Sequence, residues 1–248
     1  MEASRRGRDS IAREDHPGQE EAIDSMAQEL QRILVMRHPQ TTANLDQTLS
    51  GRRNVDLSPK GEEQARRAVD AIVTWKPDRI LTSPLKRCTK LAYAAGKRLG
   101  IEPQVEDRII EMDFGEAEGL SAQEAHKRGW SFPWALDAEG HSITAPGGET
   151  YEHALARVQS LLDDLESVRG RTVLLTHGGI SRSILRAIYG TPADRFWRIQ
   201  ISNVSSFVLS YDGKRYFLAA LGLTPEEVKR RVEEDVVKDL DNWDGDAK

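Results

Sequence analysis

Short apolar segments alternate with amphipathic segments along most of this chain. The apolar segments cover residues 33–36, 80–82 and 172–176, and each has the length of a strand that is covered on both faces. In the segments that follow them, apolar residues recur at intervals of three and four, which indicates helices with one buried face. This alternation predicts an α/β fold, namely a three-layer α/β/α sandwich around a mostly parallel central sheet.

Residues at the segment boundaries support this interpretation. Ser58 suits a helix N-cap and Pro59 suits the first helical position, whereas Gly100 suits the end of the next helix. Near the end of the chain, segments 206–211 and 216–221 are separated by an Asp-Gly turn. These two segments predict a β-hairpin that closes the domain.

Composition divides the chain into three parts. Residues 1–28 are polar, charged and aperiodic, which predicts a flexible N-terminal extension. The alternating segments predict one domain over residues 29–222. Residues 223–248 are charged, but four apolar residues fall on one helical face and predict a peripheral amphipathic helix: Val228, Val232, Val236 and Leu240.

Charge and composition exclude several classes of function. The formal net charge is −5, which argues against general binding to nucleic acids or anionic membranes. No apolar run approaches the ~20 residues of a membrane helix, and the N-terminus has no apolar signal region. The single cysteine, Cys88, cannot form an internal disulfide. We therefore expect a cytoplasmic protein, either a monomer or a homodimer.

Basic and nucleophilic side chains follow three of the predicted strands. Arg37 and His38 end the first, Arg87 lies in the turn after the second, and His177 directly follows the third. The carboxyl ends of parallel strands lie at one edge of a sheet, so these side chains can converge. Arginine binds phosphate oxygens through its planar guanidinium, and a neutral imidazole is a competent nucleophile at neutral pH. The sequence therefore predicts a phosphate site that contains a nucleophilic histidine.

Six motifs, in order, resemble those of the histidine phosphatase superfamily in its phosphoglycerate mutase-like branch. They begin with RHPQTTAN at residues 37–44, LSPKGEEQA at 57–65 and SPLKR at 83–87. They continue with EMDFGEAEG at 111–119, PGGE at 146–149 and THGG at 176–179. The resemblance covers residues 32–221, and six motifs in the family's order are far more specific than any one of them.

The resemblance implies a role for each matched residue. His38 is expected to be the nucleophile that forms a phosphohistidine, and Glu111 the general acid that later acts as a base. Three residues are expected to bind the phosphoryl oxygens: Arg37, Arg87 and His177. Four others are expected to contact the substrate: Asn44, Gln40, Thr41 and Gly178. The resemblance implies no metal and no cofactor, and it implies that the protein's partner is a small phosphorylated substrate.

Three positions depart from the family pattern. Pro39 stands where the family usually has glycine, and because proline lacks an N–H, any backbone donor at this position is missing. Ala117 replaces the usual tryptophan, and Leu91 replaces the usual threonine. Three aromatic residues in the segment between the fourth and fifth motifs are expected to serve local packing more than substrate contact: Trp130, Phe132 and Trp134.

The predicted function is hydrolysis of the phosphomonoester of a small metabolite through a phosphohistidine. The short insert between Glu111 and Pro146 resembles the phosphatases of the branch. Segments 41–51 and 191–201 are similar to alpha-ribazole phosphatase, which makes alpha-ribazole 5'-phosphate a candidate substrate. The alternatives are a 2,3-bisphosphoglycerate-dependent phosphoglycerate mutase and an inactive module that binds phosphorylated ligands.

Overall fold

A central six-stranded sheet organises residues 31–234, the part of the chain that the computed structural model describes. The eight strands are β1 (Gln31–Arg37), β2 (Arg79–Thr82), β3 (Gln104–Val105), β4 (Ala135–Leu136), β5 (Ser142–Ile143), β6 (Arg171–Thr176), β7 (Ser206–Tyr211) and β8 (Tyr216–Leu223). The central sheet has the order β3-β2-β6-β1-β7-β8, and β4 pairs with β5 in a separate hairpin. Strands β3, β2, β6 and β1 are parallel, whereas β7 and β8 are antiparallel to their neighbours.

Seven α-helices accompany the strands within the described residues. They are α1 (Thr42–Leu45), α2 (Pro59–Trp75), α3 (Lys86–Leu99), α4 (Ala122–Lys127), α5 (Tyr151–Leu165), α6 (Gly178–Tyr189) and α7 (Pro225–Glu233). The predicted start of α2 and the predicted end of α3 are confirmed. Ser58 Oγ accepts a hydrogen bond from the Gly61 amide over 3.0 Å, and Gly100 ends α3 in the left-handed conformation.

Each face of the sheet carries its own apolar cluster. On one face, α2, α3 and α7 bury Ile72, Leu91 and Val228 against β1, β2 and β6. On the other face, α5 and α6 bury Leu161 and Ile184 against the opposite sides of the same strands. Alternate residues of a strand point to opposite faces, so a strand that is apolar throughout serves both clusters. The predicted three-layer α/β/α architecture is confirmed.

Helix α7 contains the described portion of the charged C-terminal segment. Val228 is buried against α2, and Glu226 forms an ion pair with Arg67 of that helix. The predicted extension at 1–28 and the apolar positions Val236 and Leu240 lie outside the described residues.

The segment between Glu111 and Gly148 contains short helices and strands. Helix α4 begins at Ser121, whose side chain and that of Glu124 each accept a hydrogen bond from the other's backbone amide. This reciprocal pair is a capping box, and it satisfies amides that a six-residue helix would otherwise leave unpaired. The Ser-x-x-Glu spacing was visible in the sequence, but the many turn residues around it obscured the signal.

Candidate active site

The carboxyl ends of three adjacent parallel strands place the predicted residues together. β6 lies between β1 and β2, so His177 after β6 is flanked by His38 after β1 and Ser83 after β2. The His38 amide extends the pairing by donating to the Thr176 carbonyl over 2.9 Å. As a result, the rings of His38 and His177 lie with their centroids 5.2 Å apart, although 138 positions separate them in the sequence.

A cavity of about 170 Å³ opens at this edge of the sheet. Six of the nine predicted site residues line it: Arg37, His38, Asn44, Arg87, Glu111 and Gly178. The three remaining predicted residues, Gln40, Thr41 and His177, do not line the cavity. The structure therefore brings most, but not all, of the residues predicted from the family resemblance to one cavity.

His38 has one ring nitrogen fixed and the other available. Its Nδ1 lies 2.6 Å from the Pro39 carbonyl oxygen, which can only accept, so Nδ1 carries the proton and donates it. The neutral ring consequently has its lone pair on Nε2. Burial lowers the pKa of His38 well below 6.5, and the positive charges of Arg87 and Arg37 act in the same direction. His38 is thus held as a neutral imidazole with the lone pair that a nucleophile requires.

Pro39 does not disturb this arrangement. The contact that orients His38 uses the carbonyl group of residue 39, which proline retains, and not the N–H group that it lacks. The departure from the family's glycine therefore leaves the orienting hydrogen bond of the histidine intact.

His177 supports Arg87 from behind the cavity wall. Its side chain is fully buried, and Nδ1 accepts a hydrogen bond from Arg87 Nε over 3.1 Å. Nε2 lies 2.7 Å from Ser83 Oγ and donates to it in the tautomer that this pairing requires. Burial, followed by the charge of Arg87, lowers the pKa of His177 well below 6.5. Both ring nitrogens are engaged by protein groups, so His177 here orients a guanidinium.

Two guanidinium groups are held in the cavity wall. Arg87 also donates to the carbonyl groups of Gly51 and Arg53, over 2.7 and 2.9 Å. Arg37 donates through Nη1 to the Ile201 carbonyl, but its buried Nε has no hydrogen-bond partner. A buried guanidinium nitrogen without a partner is costly unless a ligand satisfies it. This unpaired donor therefore indicates an anion site.

Glu111 borders the cavity, and two backbone amides hold its carboxyl group. Its Oε1 accepts from the Met112 amide over 3.0 Å, and its Oε2 accepts from the Gly179 amide over 3.2 Å. The Gly179 amide belongs to the first turn of α6, where the partial positive charge of the helix favours anions. Glu111 is buried yet borders the cavity, as an acid that serves a bound substrate must be.

Glu149 of the PGGE motif holds the segment that carries Glu111. The Glu149 carboxylate is buried and accepts two hydrogen bonds from Arg157, over 2.8 and 2.9 Å. It also pairs with Arg52, whose Nε donates to the backbone carbonyl of Glu111. A paired, buried carboxylate of this kind fixes neighbouring backbone.

Asn44 faces the cavity, whereas its neighbours in the motif have structural partners. Its Oδ1 accepts from the Thr41 amide and from Asn203 Nδ2, each over 3.2 Å. Thr41 is fully buried and caps α1 through the Asn44 amide, and Gln40 accepts from Ser58 Oγ at the start of α2. The structure therefore places Gln40 and Thr41 in the scaffold beside the cavity.

The aromatic residues of the insert divide between two environments. Phe132 lines the cavity, but Trp134 is buried and donates from its indole nitrogen to the Glu149 carbonyl over 3.1 Å. Trp130 is partly buried and packs against the apolar cluster that contains Trp134. The expected packing role describes Trp130 and Trp134, and Phe132 is the one of the three that borders the cavity.

Several residues of the wall were not among the predicted site residues, including Arg182 of α6 and Trp197 of the 3₁₀ turn Ala193–Arg198. Arg182 follows Gly178 by four positions, so both lie on one face of the helix. That spacing was the available signal. Trp197 lies in segment 191–201, but the similarity of that segment assigned no role to this residue, and only tertiary packing brings it next to α6.

The described residues 31–234 hold neither a membrane-length apolar helix nor a group of three or more His, Cys, Asp or Glu side chains that could ligate a metal.

Comparisons with known proteins agree with this geometry. The chain matches the histidine phosphatase superfamily (branch 1) over residues 33–224. It is 31% identical over 196 residues to "Putative phosphoserine phosphatase 2" of Hydrogenobacter thermophilus, covering 77% of this chain and 95% of that protein. The structure of mycobacterial glucosyl-3-phosphoglycerate phosphatase in complex with VO3 superposes with a TM-score of 0.69 at 26% identity, covering 78% of this chain and 99% of that one.

A third comparison bears on the fold only. The structure of a putative alpha-ribazole-5'-P phosphatase from Escherichia coli superposes with a TM-score of 0.69 at 22% identity, covering 78% of this chain and 96% of that one. The family match spans the cavity residues from Arg37 to Arg182 and extends through both sides of the central sheet. The chain belongs to the histidine phosphatase superfamily, branch 1, and is a phosphoric monoester hydrolase.

Proposed function

We propose that this protein hydrolyses a small phosphorylated metabolite through a phosphohistidine on His38. The observation that carries the proposal is the proximity of a neutral imidazole, whose Nε2 holds a lone pair, to the guanidinium of Arg37, whose buried Nε has no hydrogen-bond partner. A phosphoryl group supplies what each of them needs: an electrophilic phosphorus for His38 and acceptor oxygens for Arg37.

The first step transfers the phosphoryl group to the protein. His38 Nε2 attacks phosphorus, the P–O bond to the leaving group breaks, and Glu111 gives its proton to the departing oxygen. Arg37 and Arg87 bind the equatorial oxygens, whose charge they stabilise throughout the transfer. The alcohol product then leaves.

The second step returns the phosphoryl group to water. Glu111, now a carboxylate, takes a proton from a water molecule whose oxygen attacks phosphorus. The P–N bond breaks, inorganic phosphate leaves, and His38 regains its neutral form. The proposal does not select alpha-ribazole 5'-phosphate as the substrate, because likeness at 22% identity supports the fold and no more.

The test is rapid-quench mixing of the wild-type protein with a ³²P-labelled phosphomonoester. We expect protein-bound label that survives base and is lost in acid, and that decays rapidly into inorganic phosphate. His38→Ala should show neither bound label nor turnover, and Glu111→Gln should lower kcat/KM by about 10²–10⁴-fold. His126→Ala, which replaces an exposed histidine, is the matched control.

Three results would contradict the proposal. If His38→Ala turned over substrate as fast as wild type, His38 would not be the nucleophile. Long-lived label with stimulation by a bisphosphorylated primer would indicate the mutase. Binding of phosphate without turnover of an aryl phosphate would indicate the inactive module.

A further inference from the structure

Arg182 is a third guanidinium in the cavity, beyond the two that serve the phosphoryl group in the proposed mechanism. It lies on α6, is only 8% exposed, and lines the cavity together with Arg37 and Arg87. The charged residues of the lining are therefore three arginines and one carboxylate, Glu111. The phosphoryl chemistry described above assigns no task to the third cation.

Arg182 is held in one orientation. Its Nε donates to the Ile199 carbonyl and its Nη1 donates to the Gly178 carbonyl, each over 2.8 Å. The guanidinium lies over the Trp197 ring, 4.6 Å from its centroid, as in a cation–π contact. Nη2 makes no hydrogen bond to any residue within 31–234. The group is thus oriented by protein contacts, and donor capacity remains at Nη2.

Arg182 lies close to the phosphoryl site. A Cβ atom built on Gly178 would be 3.1 Å from Arg182 Nη1 and 3.4 Å from Arg37 Nε. Anions held by these two guanidinium groups would consequently be separated by only a few covalent bonds. The walls beside Arg182 are Trp197, Phe132 and Phe114, whose low polarity strengthens an ion pair that a ligand completes.

The charges in the cavity indicate that the substrate carries a negative charge in addition to those of its phosphoryl group. In the proposed mechanism Glu111 carries a proton when it acts as the general acid, so at that step three guanidinium groups face the cavity and no carboxylate does. A phosphomonoester dianion compensates two of them. One further negative charge on the same small substrate would compensate the third.

From this geometry we infer that Arg182 binds a carboxylate on the leaving group of the substrate. The inference rests on the proposed function and narrows it to phosphomonoesters whose alcohol portion carries a carboxylate a few bonds from the ester oxygen. A carboxylate can accept a hydrogen bond from Nη2, where donor capacity remains, and a cavity of about 170 Å³ leaves space for a compact leaving group.

The test compares two pairs of substrates that differ in the carboxylate. One pair is O-phosphoserine and O-phosphoethanolamine, and the other is 3-phosphoglycerate and glycerol 3-phosphate. For wild type we expect kcat/KM to favour the carboxylate member of at least one pair by about tenfold or more, since hydrogen bonds to charged groups have effects of this size. In Arg182→Met the ratio of the two kcat/KM values should come close to one, even if kcat/KM falls for both substrates.

Two further variants complete the experiment. Arg182→Lys keeps the positive charge but lacks the planar guanidinium group, and it should retain part of the preference for the carboxylate substrate. Arg195→Met, which replaces an exposed arginine on the neighbouring 3₁₀ turn, should retain all of it.

The outcomes separate this inference from the proposed function. A wild-type enzyme that hydrolyses 4-nitrophenyl phosphate but shows no preference in either pair overturns the inference, and this result needs no variant. An equal loss on both members in Arg182→Met, with the ratio unchanged, overturns it as well, because Arg182 would then act on the phosphoryl group. Absence of all hydrolysis and of phosphohistidine overturns the proposed function itself.

Discussion

Two buried imidazoles dominate the chemistry of the site at the scale of single residues. His38 and His177 lie side by side among arginines, and their pKa values are lowered well below 6.5, first by burial and then by Arg87. This environment keeps the ring of His38, the proposed nucleophile, unprotonated. It also makes folding sensitive to pH, because a histidine with a depressed pKa must be deprotonated in the folded chain but not in the unfolded one.

The sign of this pH dependence can be tested. Below about pH 6.5 the unfolded chain protonates both histidines while the folded chain does not, so stability falls as pH decreases from 6.5 towards the folded pKa values. His38→Asn should lessen this decrease by up to about 1.4 kcal/mol per pH unit, the effect of one proton. Urea unfolding over this pH range measures the slopes. Equal slopes for wild type and variant would contradict the prediction, and His126→Asn serves as the exposed control.

Helix α6 brings the acid and the anion site together at the scale of elements. Its first residues, Gly178 and Gly179, have no side chains, so Glu111 can approach the helix end and accept a hydrogen bond from the Gly179 amide. A Cβ at Gly179 would collide with Oε1 of Glu111 and lie 3.2 Å from the Met112 side chain. The second glycine of the THGG motif therefore leaves space for the acid.

Gly179→Ala should impair catalysis more than folding. Alanine is the better helix former, which offsets part of the steric cost, so we expect the stability to change by less than about 1 kcal/mol. Displacement of Glu111 should lower kcat/KM for an alkyl phosphate by about 10²-fold. The loss should be smaller with 4-nitrophenyl phosphate, whose leaving group needs little protonation. An equal loss on both substrates would show that Gly179 does not act through the acid.

The whole molecule is a sheet with a separate apolar cluster on each face. The last described helix, α7, belongs to one of these clusters because Val228 is 1% exposed and packs with residues of α2 and the sheet. The charged composition of the segment suggested a peripheral element, yet its one buried valine ties it to the core. Helix α7 should therefore unfold together with the rest of the domain.

Val228→Ala tests this connection. Removing two buried methyl groups should lower the free energy of unfolding by about 2 kcal/mol, with one cooperative transition and an unchanged m-value. Val105→Ala is the matched control, because Val105 lies on edge strand β3 and is 51% exposed, so its loss should stay below about 1 kcal/mol. Denaturant unfolding measures both. An early separate transition in the Val228 variant would show that α7 unfolds independently.

The sequence alone determined the layers and the motif residues. Apolar runs and helical periodicity predicted the buried strands β1, β2 and β6, the start of α2 and the end of α3, since burial and capping are local requirements that each segment must meet. The six motifs predicted Arg37, His38, Arg87 and Glu111, which the structure brings to one cavity. Local signals of this kind do not depend on which elements become neighbours.

Only the tertiary structure decided how the cavity is completed. It placed Gln40 and Thr41 in the scaffold, set His177 behind Arg87, and added Arg182 and Trp197 to the wall. These outcomes depend on which carbonyl, ring or guanidinium from a distant segment comes within hydrogen-bonding distance. Such contacts are created by the order of strands in the sheet and the packing of helices on it, and neither is encoded in any single stretch of the chain.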